Sequence, residues 1–445
     1  MTSSRARIVL ILFAASLLAA QISGRDFFYS LTYLWAGLLI FSFLWGRFAL
    51  RGVQIEREAR APRAQVGELF VERFRISNES RLPKLWVETR DASDLPGYRV
   101  TAVAVGLGFR GASVAGAHQA VTVTSGLAGG QSRTWLMRTL CTQRGRFRLG
   151  PITMSSSDPF GIFPVSREVP VKQHVVVLPM IIPLSGFPLP LGRLPGGEAL
   201  RQRTHQVTPN ASGIRDYAPG DSFSRIHWKS TARRRKLIVK EFELDPLAEI
   251  WIVLDGEDDV HVEQPSSEDD DRKRADDELF QLPPSSEEYA VTAGASIAYH
   301  FLQRGRAVGL VAYGEMRHVI QPEPGDAQQY RLLESLAVFR ARGDLRLENV
   351  MKIESPRIPQ GATVIMISPS ASTKLLASVH NLLHAGRQPV LISLDAETFG
   401  GTQSNAAFVD AASRSGIIVR RIQFGDALGS ALGSADRKPY VVRAA

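Results

Sequence analysis

Asp255, Glu257 and Asp259 stand at alternate positions directly after the apolar run Glu249–Leu254. Closely spaced carboxylates are hard oxygen donors of the kind that hold Mg2+ or Ca2+. The same loop opens Glu257–Glu288, a stretch with 13 acids against three basic residues. Like charges at that density stay solvated, so the stretch reads as a flexible insertion, and an unfilled site beside it would suffer uncompensated repulsion. Asp255 is thus a weak candidate metal ligand. Its other reading is the end of a strand at the switch point of an open α/β sheet, where partners dock.

Other constellations fail on context. His380 and His384 lie four apart on an expected helix, but the Glu of HExxH is absent and no third ligand is evident. Gly106-Leu107-Gly108-Phe109-Arg110-Gly111 matches GxGxxG, yet Ala112–Val123 is small and β-like where a dinucleotide site needs a helix to begin. No Gly-Lys dipeptide occurs, so no Walker A loop cradles phosphates. Cys141, the single cysteine, has no His nearby and reads as a small core residue. One cysteine excludes an intramolecular disulfide and suits a reducing compartment. No nucleophile with its base emerges, and the expectation is a protein that is not an enzyme.

Residues 213–233 are less bland. Pro219-Gly220 suits the centre of a type II turn, and Asp221 is placed to cap a helix beginning at Ser222. On such a helix Arg225, Lys229 and Arg233 form one cationic stripe at i, i+4 and i+8, extended by Arg234, Arg235 and Lys236 before a strand Leu237–Phe242. Two readings stand side by side. One is an ion-pair network docking the segment on its neighbours, with Tyr217 and Trp228 packed beneath. The other is a docking surface for an acidic partner, a nucleotide-bearing protein or anionic lipid.

These residues need elements to hold them. Ile8–Ile22 and Phe27–Trp45 are uncharged apolar stretches separated by four residues. The second is long enough to span a bilayer and the first is short but adequate, which predicts a transmembrane helical hairpin over residues 1–52, with lipid contacts through 8–45. Arg5 and Arg7 precede it, and Arg47, Arg51, Arg57, Arg60 and Arg63 follow. The positive-inside bias then puts both ends and the soluble body in the cytoplasm, in a multi-pass inner-membrane protein. A signal peptide ending near Ala19-Ala20 is the other reading of the first stretch. The formal charge of +9 is split, with 33 Lys+Arg against 17 Asp+Glu in residues 1–248 and 20 against 27 beyond, which disfavours nucleic acid as a partner.

Residues 53–182 read as about seven short antiparallel strands, among them Val71–Ile76, Leu85–Thr89, Arg99–Val105, Ala120–Val123 and Val175–Leu178, in a β-sandwich-like domain. Gln143–Pro151 looks like a turn feeding a strand, and Asp158-Pro159-Phe160-Gly161 like a tight turn. Residues 183–197, with four prolines and four glycines, read as a surface connector to the charged segment 198–248. Over 249–424 strands and helices alternate, which predicts a parallel sheet with helices on both faces, interrupted by the insertion 257–288. Residues 425–445 read as a fraying tail.

The pattern Gly213-x-Arg215-x-Tyr217-x-x-Gly220-Asp221, then Arg225-Ile226-His227-Trp228-Lys229 and Ala232-Arg233, resembles the signature of the domain of unknown function 58 family. Ser224 departs from it, since many relatives carry a second arginine there. The family's usual context agrees: two N-terminal membrane helices, a β-rich region with Arg-Gly and Asp-Pro-Phe-Gly, and a von Willebrand factor A-like α/β domain. That resemblance implies a metal site through Asp-x-Ser-x-Ser, a Thr and a later Asp. Here Asp255 matches, acids replace both serines, Ser368-Pro369 stands where the later Asp belongs, and Pro322–Arg346 offers no Thr. The resemblance also implies a non-enzymatic adaptor working beside a MoxR-type AAA+ ATPase in protein assembly or maturation. The alternative is a metal-dependent cell-envelope hydrolase using Asp255, Glu257 and Asp259; a third reading, nucleic-acid binding through Arg225–Lys236, is the least favoured.

Overall fold

The computed structural model describes residues 4–59, 62–96, 103–104, 109–113, 119–170, 173–187, 211–217, 226–242, 249–265 and 281–433. Two helices open it, α1 (Ser4–Ser23) and α2 (Asp26–Ala49), each long and apolar enough to cross a membrane. Gly24, at φ +62°, turns the chain between them. Their burial is the reverse of a soluble helix pair. Ala6, Ser16 and Ala20 of α1 and Thr32, Ser42 and Gly46 of α2 are buried, while Leu10, Leu18, Phe27 and Ile40 point outward. Small residues at a helix crossing with apolar side chains outside is the packing lipid favours. Thr32 Oγ1 donates to Ser16 Oγ across that crossing at 3.2 Å.

Two sheets then share one core. The first, in spatial order, is Val53–Ala59, Leu69–Asn78, Ser132–Leu140 and Val103–Ala104. The second is Arg63–Gln65, Gln173–Leu178, Gly145–Ser156, Lys84–Ser93, Gln119–Leu127 and Phe109–Ser113, with Val165–Val169 paired on Gly145–Ser156. Inward residues alternate along each strand, and Phe74 stacks on Trp135 with centroids 5.4 Å apart. The described residues hold eleven strands where about seven were expected, and Arg63–Gln65 pairs in parallel with Val176–Leu178. Charged residues at inward positions hid the length of the strands. Arg57 lies inside the core, its Nε 2.7 Å from Glu72 Oε1, its Nη2 3.1 Å from Asp91 Oδ2, and its guanidinium over the Phe74 ring. Burial raises the Glu72 carboxyl, with Arg57 pulling it back. Arg57 therefore leaves the set of flanking cations that could bias membrane orientation. Of the strand expected at Arg99–Val105, only 103–104 falls within the described residues.

The third unit is a six-stranded sheet in the order Arg317–Glu323, Val308–Tyr313, Ile250–Leu254, Thr363–Ser368, Gln388–Leu394, Ile418–Ile422. Five strands are parallel and the edge strand Arg317–Glu323 is antiparallel, a departure from the all-parallel expectation. Ile250, Ile252 and Leu254 face a core shared with helices Ser286–Leu302 and Asp326–Val338. Trp251 and Val253 face another, shared with Leu347–Glu354, Thr373–His384 and Ala406–Arg414. A first strand buried on both faces explains its unbroken apolar run.

Three expected surface segments are packed instead. Leu184 and Phe187, in the expected connector, are buried against Ser286–Leu302; Ile182 N–H donates to Ser296 Oγ at 2.9 Å, and Phe187 meets Phe301 edge-on. Leu428 and Leu432, in the expected tail, join the same core. Both ends of the acidic insertion are also fixed, through β-bridges Glu257 to Gly343 and Glu263 to Ser285. Residues 266–280 lie outside the described set.

Arg57→Met should cost about 3–5 kcal/mol, because Glu72 and Asp91 would remain buried without their cation. Replacing all three with apolar residues should recover much of that loss. Thermal unfolding of the detergent-solubilised chain, variant by variant, checks both expectations.

Candidate functional site

The central strand Ile250–Leu254 pairs with Val308–Tyr313 on one side and Thr363–Ser368 on the other. The connection leaving Ile250–Leu254 runs to Val308–Tyr313 and the one leaving Thr363–Ser368 runs the other way, to Gln388–Leu394, so a crevice opens at the carboxyl ends of these two central strands. Asp255 sits there, 1% exposed. Its Oδ2 accepts from Ser368 Oγ at 2.6 Å and its Oδ1 from the Glu257 N–H at 3.2 Å. Burial pushes its carboxyl up to about 6, opposed by the hydrogen bonds from Ser368 and Glu257. Ser368 thus supplies a hydroxyl donor where a metal site would want another acid.

The other two carboxylates do not converge on it. Glu257 turns to Arg346 at 3.5 Å, and Asp259 is exposed. Among the described residues no group of three or more His, Cys, Asp or Glu is arranged to hold a metal ion. His380 Nδ1 bonds the Leu376 carbonyl within its own helix, and Cys141 is buried. Residues 109–111 of the glycine motif lie in the strand Phe109–Ser113 rather than a helix; 106–108 lie outside the described residues.

His261 was missed at the sequence level. Its Nε2 lies 3.1 Å from the Asp255 carbonyl and its Nδ1 3.1 Å from Ser286 Oγ, while Ser286 Oγ also accepts from the Val262 N–H. Burial lowers its pKa. A neutral ring donating from Nε2 and accepting at Nδ1 satisfies every partner. It borders a polar cleft of about 440 Å³ between Thr142-Gln143 of the β domain and Asp258, Glu263, Arg340 and Arg342 of the α/β domain.

Beneath that cleft the two domains are joined by Arg144, whose side chain is fully buried. Its Nε donates to the Leu336 carbonyl at 3.1 Å and Nη2 to the Phe339 carbonyl at 2.9 Å. Nη2 pairs with Glu287 and Nη1 with Glu288. Arg340 Nη2 returns a bond to the Arg144 carbonyl at 3.1 Å, and the Ala341 N–H donates to Glu287 Oε2 at 3.0 Å. The loop carrying these groups presses on glycines of the sheet: a Cβ on Gly314 would lie 2.0 Å from the Arg340 carbonyl oxygen, and the Gly343 N–H donates to the Gly256 carbonyl at 2.8 Å. One run of contacts therefore links Arg144 to the loop after Asp255.

A second joint ties the β domain to the helices. Asp158 accepts from the Phe160 N–H at 3.0 Å and the Phe163 N–H at 2.6 Å, closing the expected turn. Phe160 then meets Phe41 edge-on and Phe163 meets Phe43. Buried Lys84 donates from Nζ to the Phe48 carbonyl at 2.7 Å, supplying a cation to the C-terminal end of α2.

The signature segment is arranged differently from the sequence reading. Gly213 and Arg215 lie in strand Ala211–Asp216, paired antiparallel with Ile238–Phe242, and the Tyr217 N–H donates to the Leu237 carbonyl at 2.8 Å. Gly220, Asp221 and Arg225 fall outside the described residues. Ile226 forms a β-bridge with Val239, which takes it out of any helix running on from Ser222. The helix is Trp228–Arg234, capped by His227, whose Nδ1 accepts from the Ser230 N–H at 3.2 Å. Lys229, Ala232 and Arg233 are exposed on it. Trp228 is 66% exposed rather than packed beneath.

Residues 213–374 match the family described as "Protein of unknown function DUF58", and the resemblance read from the signature is thereby shown. Over 128 residues the chain is 27% identical to the uncharacterized protein YeaD of Bacillus subtilis (strain 168), covering 29% of this chain and 26% of that relative. The match thus spans about a quarter of the curated relative's length. Among solved structures, the CARDB domain of a Pyrococcus furiosus protein is similar at 11% identity and TM-score 0.19, over 28% of this chain and 87% of that one. Proximal thread matrix protein 1 from the mussel byssus is similar at 12% and 0.26, over 42% and 46%. At such TM-scores neither carries an argument about fold or function.

Asp255 has a defined pH signature. Its folded pKa lies above the ordinary 3.8, so the folded state holds the proton more tightly and stability falls as pH rises from about 4 to about 6. Asp255→Asn should remove that loss. The variant should match the native chain near pH 4 and exceed it by roughly 1–3 kcal/mol near pH 8, read from paired thermal melts.

Proposed function

We propose that this chain is a non-enzymatic adaptor, anchored in the inner membrane by α1 and α2, with its sheet-rich domains in the cytoplasm. Its third unit acts as a von Willebrand factor A-like domain, and its partner is a MoxR-type AAA+ ATPase engaged in assembling or maturing other proteins. One observation carries the reading: three units are keyed in series, α2 to the β domain through Lys84 and the Asp158 turn, and the β domain to the α/β domain through buried Arg144. Such a series makes a fixed platform rather than beads on a string.

Mechanistically the platform recruits. Tethering raises a partner's effective concentration at the membrane without any new contact. Exposed Lys229 and Arg233 on helix Trp228–Arg234 and the polar cleft at the carboxyl edge of the sheet offer two surfaces for it. The choice of ATPase rests on the family resemblance alone. A hydrolase using Asp255, Glu257 and Asp259 draws no support from carboxylates that point to different partners.

Affinity capture of the full chain from membranes of a cell that encodes a MoxR-type ATPase tests this. The ATPase should be recovered, and Lys229→Glu with Arg233→Glu should lower recovery several-fold while the chain stays membrane-bound. Recovery of the chain without the ATPase would contradict the proposal.

A further inference from the structure

At the foot of α2 lies a small apolar groove of about 170 Å³. Phe41, Trp45 and Phe48 line one wall, and Leu82, Pro83 and Leu85 of the β domain line the other. Its volume is below the roughly 300–1,000 Å³ of pockets that enclose drug-sized ligands. It suits a stretch of one hydrocarbon chain.

The position of this groove along α2 says what covers it. Phe41 and Phe43 fall inside the uncharged run Phe27–Trp45. Phe41 also precedes the helix end at Ala49 by eight residues, about 12 Å of helix. Phe160 and Phe163 of the β domain reach up to those two rings. The turn is therefore level with the apolar part of α2 rather than below it. Its neighbours are correspondingly unsuited to water: Leu82 is 53% exposed, Leu85 44% and Phe160 52%. Three large apolar side chains clustered beside a membrane-length helix form a patch that water penalises and lipid rewards. Cations rim it. Arg51 lies over the Phe48 ring at 5.6 Å, and exposed Arg81 directly precedes Leu82.

We propose that this groove holds an acyl chain of a membrane phospholipid, with the phosphate met by Arg51 and Arg81, so that the Leu82–Leu85 turn and the Asp158–Phe163 turn are sunk into the bilayer. The β domain is then a half-immersed collar around α2, fixed in height and rotation by lipid as well as by protein contacts. This inference rests on the anchoring reading above.

Depth-dependent quenching tests it. Single cysteines are placed at Leu82, Phe160, Leu34 and Met316 of the full chain and labelled with an environment-sensitive fluorophore. Native Cys141 is fully buried with its thiol pushed up to about 12, so labelling falls on the introduced site. The proteins are put into nanodiscs of phosphatidylcholine and phosphatidylglycerol, with or without bromine on the acyl chains. Leu34, exposed on α2, reports spanning; Met316, exposed in the α/β domain, reports water. The expected result is quenching at Leu82→Cys and Phe160→Cys at least half as strong as at Leu34→Cys, with none at Met316→Cys. Strong quenching at Leu34→Cys with only the Met316 level at the other two overturns the collar and leaves the anchor standing. Loss of quenching at Leu34→Cys as well overturns both.

Discussion

A guanidinium with no access to water must find its counter-charges inside the protein, and Arg144 finds them across a domain boundary. Its backbone belongs to the β domain, while Glu287, Glu288 and the carbonyls of Leu336 and Phe339 belong to the α/β domain. Removing a buried charge from water costs several kcal/mol, which its two ion pairs and its bonds to the two carbonyls offset. The geometry therefore favours one relative placement of the two domains, since slippage strands the buried cation, while Glu287 keeps the Ala341 N–H and Arg340 of its own domain. By comparison the exposed pair Arg63–Glu334 at the rim of the same boundary adds little.

Constraint spreads from that point in two directions. Toward the sheet, the Phe339–Gly343 loop that receives Arg144 rests on Gly314 and Gly256, where any side chain would collide with backbone. The loop after Asp255 is thereby set by the same joint that orders the domains, and the crevice and its polar cleft inherit a fixed shape. Toward the N-terminal helices, the Asp158 turn and Lys84 bring the β domain against α2. The crevice is thus held at a fixed position relative to α2, which is what the proposed adaptor role requires.

Much of this architecture is legible in the residues. Apolar length gave the two helices, the unbroken run at Ile250–Leu254 marked a strand buried on both faces, and Asp255 was placed at the sheet's switch point. What escaped was charge put to structural use. Arg57, Glu72 and Asp91 look like solvated positions and are core; Glu287 and Glu288 look like the tail of an acidic insertion and are the counter-ions of Arg144. A single chain offers no local signal that a charged residue 143 positions away will neutralise another. The cationic stripe in the signature segment was hard to read for a related reason, because Ile226 is drawn into a β-bridge with Val239, a tertiary contact, and the described helix is Trp228–Arg234. Ser368 and His261 had a fainter signal, each lying at the end of a strand or loop whose role only the sheet order reveals.

Spin-label distances between Leu69→Cys in the β domain and Met316→Cys in the α/β domain, both exposed positions, test the joint most directly. The account predicts one narrow distribution in the otherwise native chain and a broad, multi-populated one in Arg144→Met, with each domain still folded. A narrow, unshifted distribution in Arg144→Met would show that the domains are held by something else, and would contradict it.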